Sequence, residues 1–212
     1  MSDLLILFAC YLLGSISGSL LLGRFRGIDI RKQGSGNAGG TNAFRTQGLK
    51  FALGVVLIDV GKGALAAYLA LRFSSSTFLD VLPYVAVTAA VIGHVWPVFH
   101  GFRGGKGAAT LLGGVLLLWP MAVLVMLVVW LICLTLTGYV GLSTVVAGFS
   151  LLAFALLDSA PMEVQVFAAL IAFLMLFTHR ANMQRLWQKN EYRFDKAMIW
   201  RRAWQALHGN SP

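Results

Sequence analysis

The spacing of its charges constrains this chain most. Residues 107–157 contain no Asp, Glu, Lys or Arg, and elsewhere the charged residues sit in short stretches between long apolar runs. With 58% apolar residues, 12% charged residues and a mean hydropathy of +0.77, the 212-residue chain lacks the polar surface that a soluble fold places around its core. A cytosolic enzyme, a disordered chain and a disulfide-built secreted domain are excluded, and the expected fold is an all-α, polytopic membrane helical bundle. Cys10 and Cys133 each lie inside an apolar run, so neither a structural disulfide nor a zinc site is supported. The net charge of +9 would suggest nucleic acid in a soluble protein. In a membrane chain it points instead to topogenic loops and to anionic headgroups or substrates, and no nucleic-acid partner is expected.

Runs long enough to cross a bilayer fall at 3–23, 51–72, 79–98, 106–120, 121–138, 141–157 and 161–179. The count is seven, or six if Trp119-Pro120 merely kinks one long span. Charge arbitrates between them. With seven helices and the first loop cytoplasmic, 15 of the 17 basic residues face inward, leaving Arg72 outside and Lys62 within a span. Six helices would put the two richest basic segments on opposite sides, against the positive-inside tendency. The reading is therefore seven transmembrane helices, amino terminus outside, carboxyl terminus cytoplasmic, in one integral-membrane domain over 1–212.

The first run has no basic leader, carries Asp3 and lacks an Ala-x-Ala site, so it reads as an uncleaved span. Leu7-Phe8-Ala9-Cys10 is only loosely like a lipoprotein box. There is no internal repeat. From Tyr192 to Leu207 a helix would place Trp200, Trp204 and Leu207 on one face, which suits an interfacial helix, with a solvated tail helix as the alternative.

Three polar segments carry the chemistry. The first loop contains Gly34-Ser35-Gly36-Asn37-Ala38-Gly39-Gly40-Thr41-Asn42, followed by Arg45. Its glycines let backbone amides curl toward an anion, while Ser35, Asn37, Thr41 and Asn42 add neutral hydrogen-bonding groups. Gly34-x-Gly36-x-x-Gly39 matches a dinucleotide fingerprint in letters only, because a loop of 27 residues between membrane helices cannot hold a βαβ unit. The competing reading is a flexible spacer, which would need neither hydroxyls and amides nor basic residues at both ends.

In the second segment Gly104 and Gly105 precede Lys106 and Gly107 at a helix start, so helix amides and the lysine can converge on a phosphate. It is not a Walker loop: His100 stands at the first glycine position and Gly107 follows the lysine. A purely topogenic Lys106 is the alternative. In the third segment, if the last span continues as a helix, His179 and Asn182 share a face and can handle a proton together. The alternative is a bland interfacial histidine; His100 carries the same alternative, and for His94, near the inner end of the third span, the alternative is a hydrogen bond within the bundle. Asp59 and Lys62, three apart in the second span, are expected to pair as a structural ion pair facing the bundle interior.

Taken together, Gly34-Ser35-Gly36-Asn37 through Thr41-Asn42 and Arg45, Gly93-His94 through Pro97 and Phe99 to Gly104-Gly105-Lys106-Gly107, and His179, Asn182, Arg185-Leu186 and Glu191 resemble the bacterial acyl-phosphate-dependent glycerol-3-phosphate acyltransferases, the PlsY family. Asp29, Arg31 and Asp59-x-x-Lys62-Gly63 belong to the resemblance, which spans nearly the whole chain. The chain departs from the family at Gly40, where Ala is usual, at Ala108, where Val is common, and at Lys189, where Gly is frequent. Only the last bears on the backbone course after Trp187. The His-x-x-x-x-Asp box of other glycerol-3-phosphate acyltransferases is absent.

The resemblance implies transfer of a fatty acyl group from acyl phosphate to glycerol-3-phosphate, at the cytoplasmic side of a bacterial inner membrane, with no cofactor and no metal. It implies membrane lipid as surroundings and the enzyme that makes acyl phosphate as a partner. Acyl phosphate is a mixed anhydride with a good leaving group, so no covalent intermediate is needed, and no Gly-x-Ser-x-Gly elbow exists to form one. The expected assignment gives Ser35, Asn37, Thr41, Arg45 and Lys106 the phosphates and the developing oxyanion. Gly34, Gly36, Gly39, Asn42, Gly104, Gly105 and Gly107 shape the binding loops. His179 with Asn182, or the substrate's own phosphate, takes the hydroxyl proton. A transporter would place such features near the bilayer midplane and often in repeats, and an adaptor would not need them.

Overall fold

The computed structural model describes residues 3–74 and 81–198. Among them it is all-helical: α1 Asp3–Gly14, α2 Gly18–Phe25, α3 Gly40–Gln47, α4 Leu49–Phe73, α5 Leu82–Val95, α6 Ala108–Leu118, α7 Pro120–Thr137, α8 Val140–Leu157, α9 Met162–Thr178 and α10 Arg180–Trp187. Four segments are long and apolar enough to cross a membrane, Leu49–Phe73, Leu82–His100, Pro120–Thr137 and Val140–Leu157. The number rises to six if the bent pairs α1–α2 and α9–α10 each count as one span. At 11 residues α6 is about 16 Å long, shorter than a bilayer core, and only the non-helical Trp119 separates it from Pro120 at the start of α7.

The contacts divide the chain into two compact units, one holding residues up to 123 with 161–167, the other 124–160 with those from 168 on. In the first unit, small residues let helices approach closely. A Cβ on Gly14 would collide with Ala90 O and one on Gly93 with Tyr11 O, which brings α1 against α5; Gly63 and Gly113 do the same for α4 and α6. Ile6, Cys10, Ala66, Ala70, Ala86 and Ala90 fill the space between α1, α4 and α5. In the second unit Gly148 lies against Met175, Phe149 meets Phe173 edge-on, and Trp130 Nε1 donates to Thr144 at 3.2 Å.

The expected single span at 3–23 is broken: α1 and α2 meet at 48° across Ser15-Ile16-Ser17. The expected continuous helix through His179 is also broken, with a 56° bend and His179 capping α10. The 192–207 helix does not start as expected. Tyr192–Met198 carries only a 3-10 turn at Asp195–Ala197, and buried Met198, with Phe194 N–H donating to Gly138 O at 2.7 Å, ties it to the α7–α8 turn. Trp200, Trp204 and Leu207 lie outside the described residues.

Candidate active site

The glycine-rich loop is an anchored structure rather than a spacer. Ile30, Ala38 and Ala43 are fully buried in a cluster with Leu20, Phe51, Ala52 and Val55, which pins the loop and α3 onto α2 and α4. The organiser is Asn42. Its Nδ2 donates to the carbonyls of Ile30, Gln33 and Asn37 at 3.0–3.1 Å, and its Oδ1 accepts from Ser35 N–H at 2.9 Å. Gly34 and Gly36 take left-handed φ of +55° and +72°, where a side chain would be strained. Gly39 caps α3, whose first-turn amides, Gly40 and Thr41 among them, point out of the helix N-terminus. Ser35 and Thr41 are exposed, Asn37 and Arg45 half-buried. At Gly40 a Cβ would meet Val56 Cγ2 at 2.8 Å, so the departure from Ala fits the close approach of α3 to α4.

The second loop folds back on its own helix. Gly104 N–H donates to Val95 O at 3.2 Å and Gly105 N–H to His94 O at 3.1 Å, which leads the chain to half-buried Lys106 and then to Gly107, the left-handed cap (φ +89°) of α6. Arg31 joins the two loops. Its Nη1 donates to His100 O at 3.0 Å and Arg103 O at 3.1 Å, while Nε and Nη2 grip Asp29 at 2.9–3.3 Å. Sequence reasoning gave Arg31 no role, and an acidic residue two before an arginine at a loop entrance was the available signal.

The Arg31 guanidinium holds the Asp29 carboxyl down at about 2. A depressed carboxylate pKa adds stability that is complete above its ordinary value and lost as pH falls toward the folded value. The difference in melting temperature between wild type and Asp29→Asn is therefore expected to be flat above about pH 5 and to close between about pH 4 and pH 2. A difference that varies between pH 6 and 8 would contradict this.

In the second unit His179 is buried, and its Nδ1 lies 2.8 Å from Met175 O. A carbonyl only accepts, so Nδ1 carries the hydrogen and Nε2 the lone pair that can take a proton. The Asn182 amide donates to Glu191 Oε1 at 2.6 Å, and Arg185 Nε donates to Glu191 Oε2 at 2.7 Å. Glu191 thus orders this cluster, a role that sequence reasoning had not assigned. Gly141 admits Asn182 against α8, since a Cβ there would stand 2.8 Å from its side chain.

α10 ends in a Schellman turn, with Lys189 N–H donating to Leu186 O and Asn190 N–H to Arg185 O, and Lys189 has the left-handed φ of +59° that the turn demands. This is where the sequence departs from the family's glycine, and the backbone keeps a course a glycine would favour. Lys189→Gly is expected to stabilise the protein by about 0.5–1 kcal/mol, read as a rise in detergent melting temperature; a fall would contradict the strain argument.

The sequence profile of the glycerol-3-phosphate acyltransferase family matches residues 4–189. The glycerol-3-phosphate acyltransferase of Chlorobaculum parvum is 37% identical over 224 residues, covering 90% of this chain and 95% of that one. That of Geobacillus kaustophilus is 43% identical over 189 residues, covering 88% and 93%. The crystal structure of PlsY, an integral membrane glycerol 3-phosphate acyltransferase, in its glycerol 3-phosphate form superposes with a TM-score of 0.85 at 36% identity, covering 91% of this chain and 95% of that one. Its lysophosphatidic acid form gives 0.82 at 35%, covering 90% and 94%. This chain belongs to the glycerol-3-phosphate acyltransferase family, and it is an integral-membrane acyltransferase of phospholipid synthesis.

Proposed function

We propose that the protein transfers a fatty acyl chain from acyl phosphate to the sn-1 hydroxyl of glycerol-3-phosphate, giving lysophosphatidate and inorganic phosphate. The observation that carries this reading is the pair of anchored, glycine-rich loops joined by Arg31. Each ends at a helix N-terminus and each has a cation close by in sequence, Lys106 just before α6 and Arg45 in the last turn of α3, an arrangement suited to two phosphates rather than one. The hydroxyl oxygen attacks the acyl carbonyl carbon, the carbon–oxygen bond to phosphorus breaks, and phosphate leaves. Ser35, Asn37, Thr41, Arg45 and Lys106 hold the phosphates and steady the oxyanion. The hydroxyl proton goes to His179 Nε2, with Asn182 in support, or to the departing phosphate.

Seven spans, with the amino terminus outside and the loops on the cytoplasmic face of the bacterial inner membrane, complete the reading as one acyltransferase domain over 1–212. It counts short α6 as a span and places membrane lipid around the acyl chain. The enzyme that makes acyl phosphate is the expected protein partner. The test is purified protein in detergent with palmitoyl phosphate and glycerol-3-phosphate, no metal and no nucleotide added. Equal release of phosphate and lysophosphatidate, absent when glycerol-3-phosphate is omitted, is the expected result. Lysophosphatidate formed from palmitoyl thioester but not from palmitoyl phosphate would overturn the donor.

A further inference from the structure

The break in the first span is buried at Ser15 and Ser17, where an unmade backbone hydrogen bond is expensive. In an unbroken helix Gly18 N–H would bond to Gly14 O. Here Gly18 N–H donates to Asp59 Oδ1 at 3.1 Å, and Gly14 O accepts from Lys62 Nζ at 2.8 Å, so the two charged side chains stand in for the two halves of the missing bond. Lys62 also donates to Ile16 O at 2.7 Å, and the pair itself closes at 3.0 Å. Asp59 is 1% exposed and Lys62 4%.

A third group joins them. His94 Nδ1, on α5, lies 2.8 Å from Lys62 Nζ and 3.5 Å from Asp59 Oδ1. Two ammonium protons serve the carbonyls of Gly14 and Ile16, leaving the third between Asp59 and His94. With the Lys62 ammonium donating from 2.8 Å, Nδ1 is the accepting nitrogen and the ring hydrogen sits on Nε2. That edge of the ring abuts the loop: a Cβ on Gly105 would collide with His94 Nε2, and the His94 carbonyl already accepts from Gly105 N–H. Ring and backbone of one residue therefore hold the dipeptide immediately before Lys106.

We propose that Asp59, Lys62 and His94 are positioning residues for the reaction. By bridging the break in the first span, the ion pair fixes the His94 ring against Gly105 and so sets where Lys106 meets a substrate phosphate. This rests on the reading of Lys106 as a phosphate ligand. A pair present only to cancel charge would be replaceable by apolar residues of like size without kinetic consequence. The positioning role makes a different demand: the loop must lose its place when the link is cut.

The test is the KM of each substrate in wild type, His94→Asn and the double variant Asp59→Leu/Lys62→Met. In His94→Asn the shorter side chain keeps an acceptor for Lys62 and loses the contact with Gly105. One of the two KM values is expected to rise about tenfold or more with kcat changed far less, and His94→Gln, which reaches toward Gly105, to recover part of it. The double variant should show the same KM rise if it folds. A merely structural lesion lowers the active fraction, hence apparent kcat, and leaves both KM values alone. Wild-type KM values in His94→Asn, or in a folded double variant, would overturn the inference while wild-type turnover keeps the proposed function standing. Absence of turnover in wild type would overturn the function, and the inference with it.

Discussion

Lys106→Ala is expected to lower turnover of palmitoyl phosphate and glycerol-3-phosphate by about 10²–10³-fold, with yield and melting temperature near those of wild type. Lys106 is half-buried between a glycine pair held on α5 and the left-handed cap of α6, so its charge adds to the positive end of a helix that already favours an anion. A lysine is better placed at a helix carboxyl end, and its position here is explained by an anionic partner. Arg45→Ala, in the short helix that closes the first loop, is expected to fall by a similar factor. Rates near wild type in both variants, in the phosphate-release assay, would remove the two-phosphate account.

The second large effect is expected at Asn42, through the backbone. Its one acceptor and two donors hold four partners inside the first loop, and it is 1% exposed. Asn42→Ala leaves the buried Ile30 carbonyl and the part-buried carbonyls of Gln33 and Asn37 without that donor and should destabilise the protein by about 2–4 kcal/mol. Activity should fall at least tenfold because Ser35 and Gly36 lose their fixed positions, a loss on the scale of about 1 Å misplacement. Asn42→Asp keeps the acceptor for Ser35 N–H and sets a carboxylate against three carbonyls, so it is expected to be no better than Ala. Hydrogen exchange over residues 33–37 separates the two ways of losing activity. Faster exchange there marks a loosened loop, and unchanged exchange with lost activity would make Asn42 a direct ligand instead.

Where a single physical quantity set the structure, the sequence showed it. The runs at 51–72, 121–138 and 141–157 match α4, α7 and α8 within a few residues, because membrane thickness dictates the length of an apolar helix. The Asp59–Lys62 pair was legible from helical spacing. The break at Ser15-Ile16-Ser17 was not, since small residues keep the hydropathy of the run and the groups that compensate the break come from α4. For the same reason His94 could be read as a histidine bonded within the bundle but not given its partners, which are 32 and 35 residues away in sequence. α3 was hidden because Gly40, Thr41 and Asn42 are weak helix formers, and burial of Ala43 together with the Asn42 bonds overrides that preference. Nothing at Thr178-His179-Arg180 signals a bend, so the helix was carried through.

The site was legible as residue types and less so as roles. Motif order located the phosphate loops, whereas hydrogen-bond geometry was needed to see that Asn42 and Arg31 organise them and that Glu191 orders Asn182 and Arg185.

The most direct test of the account follows the bridging oxygen of the donor. With palmitoyl phosphate labelled with ¹⁸O between carbon and phosphorus, attack at the carbonyl predicts that all the label leaves in inorganic phosphate and none enters lysophosphatidate. Label recovered in free palmitate, with phosphate transferred to the glycerol, would show attack at phosphorus and contradict acyl transfer by this protein.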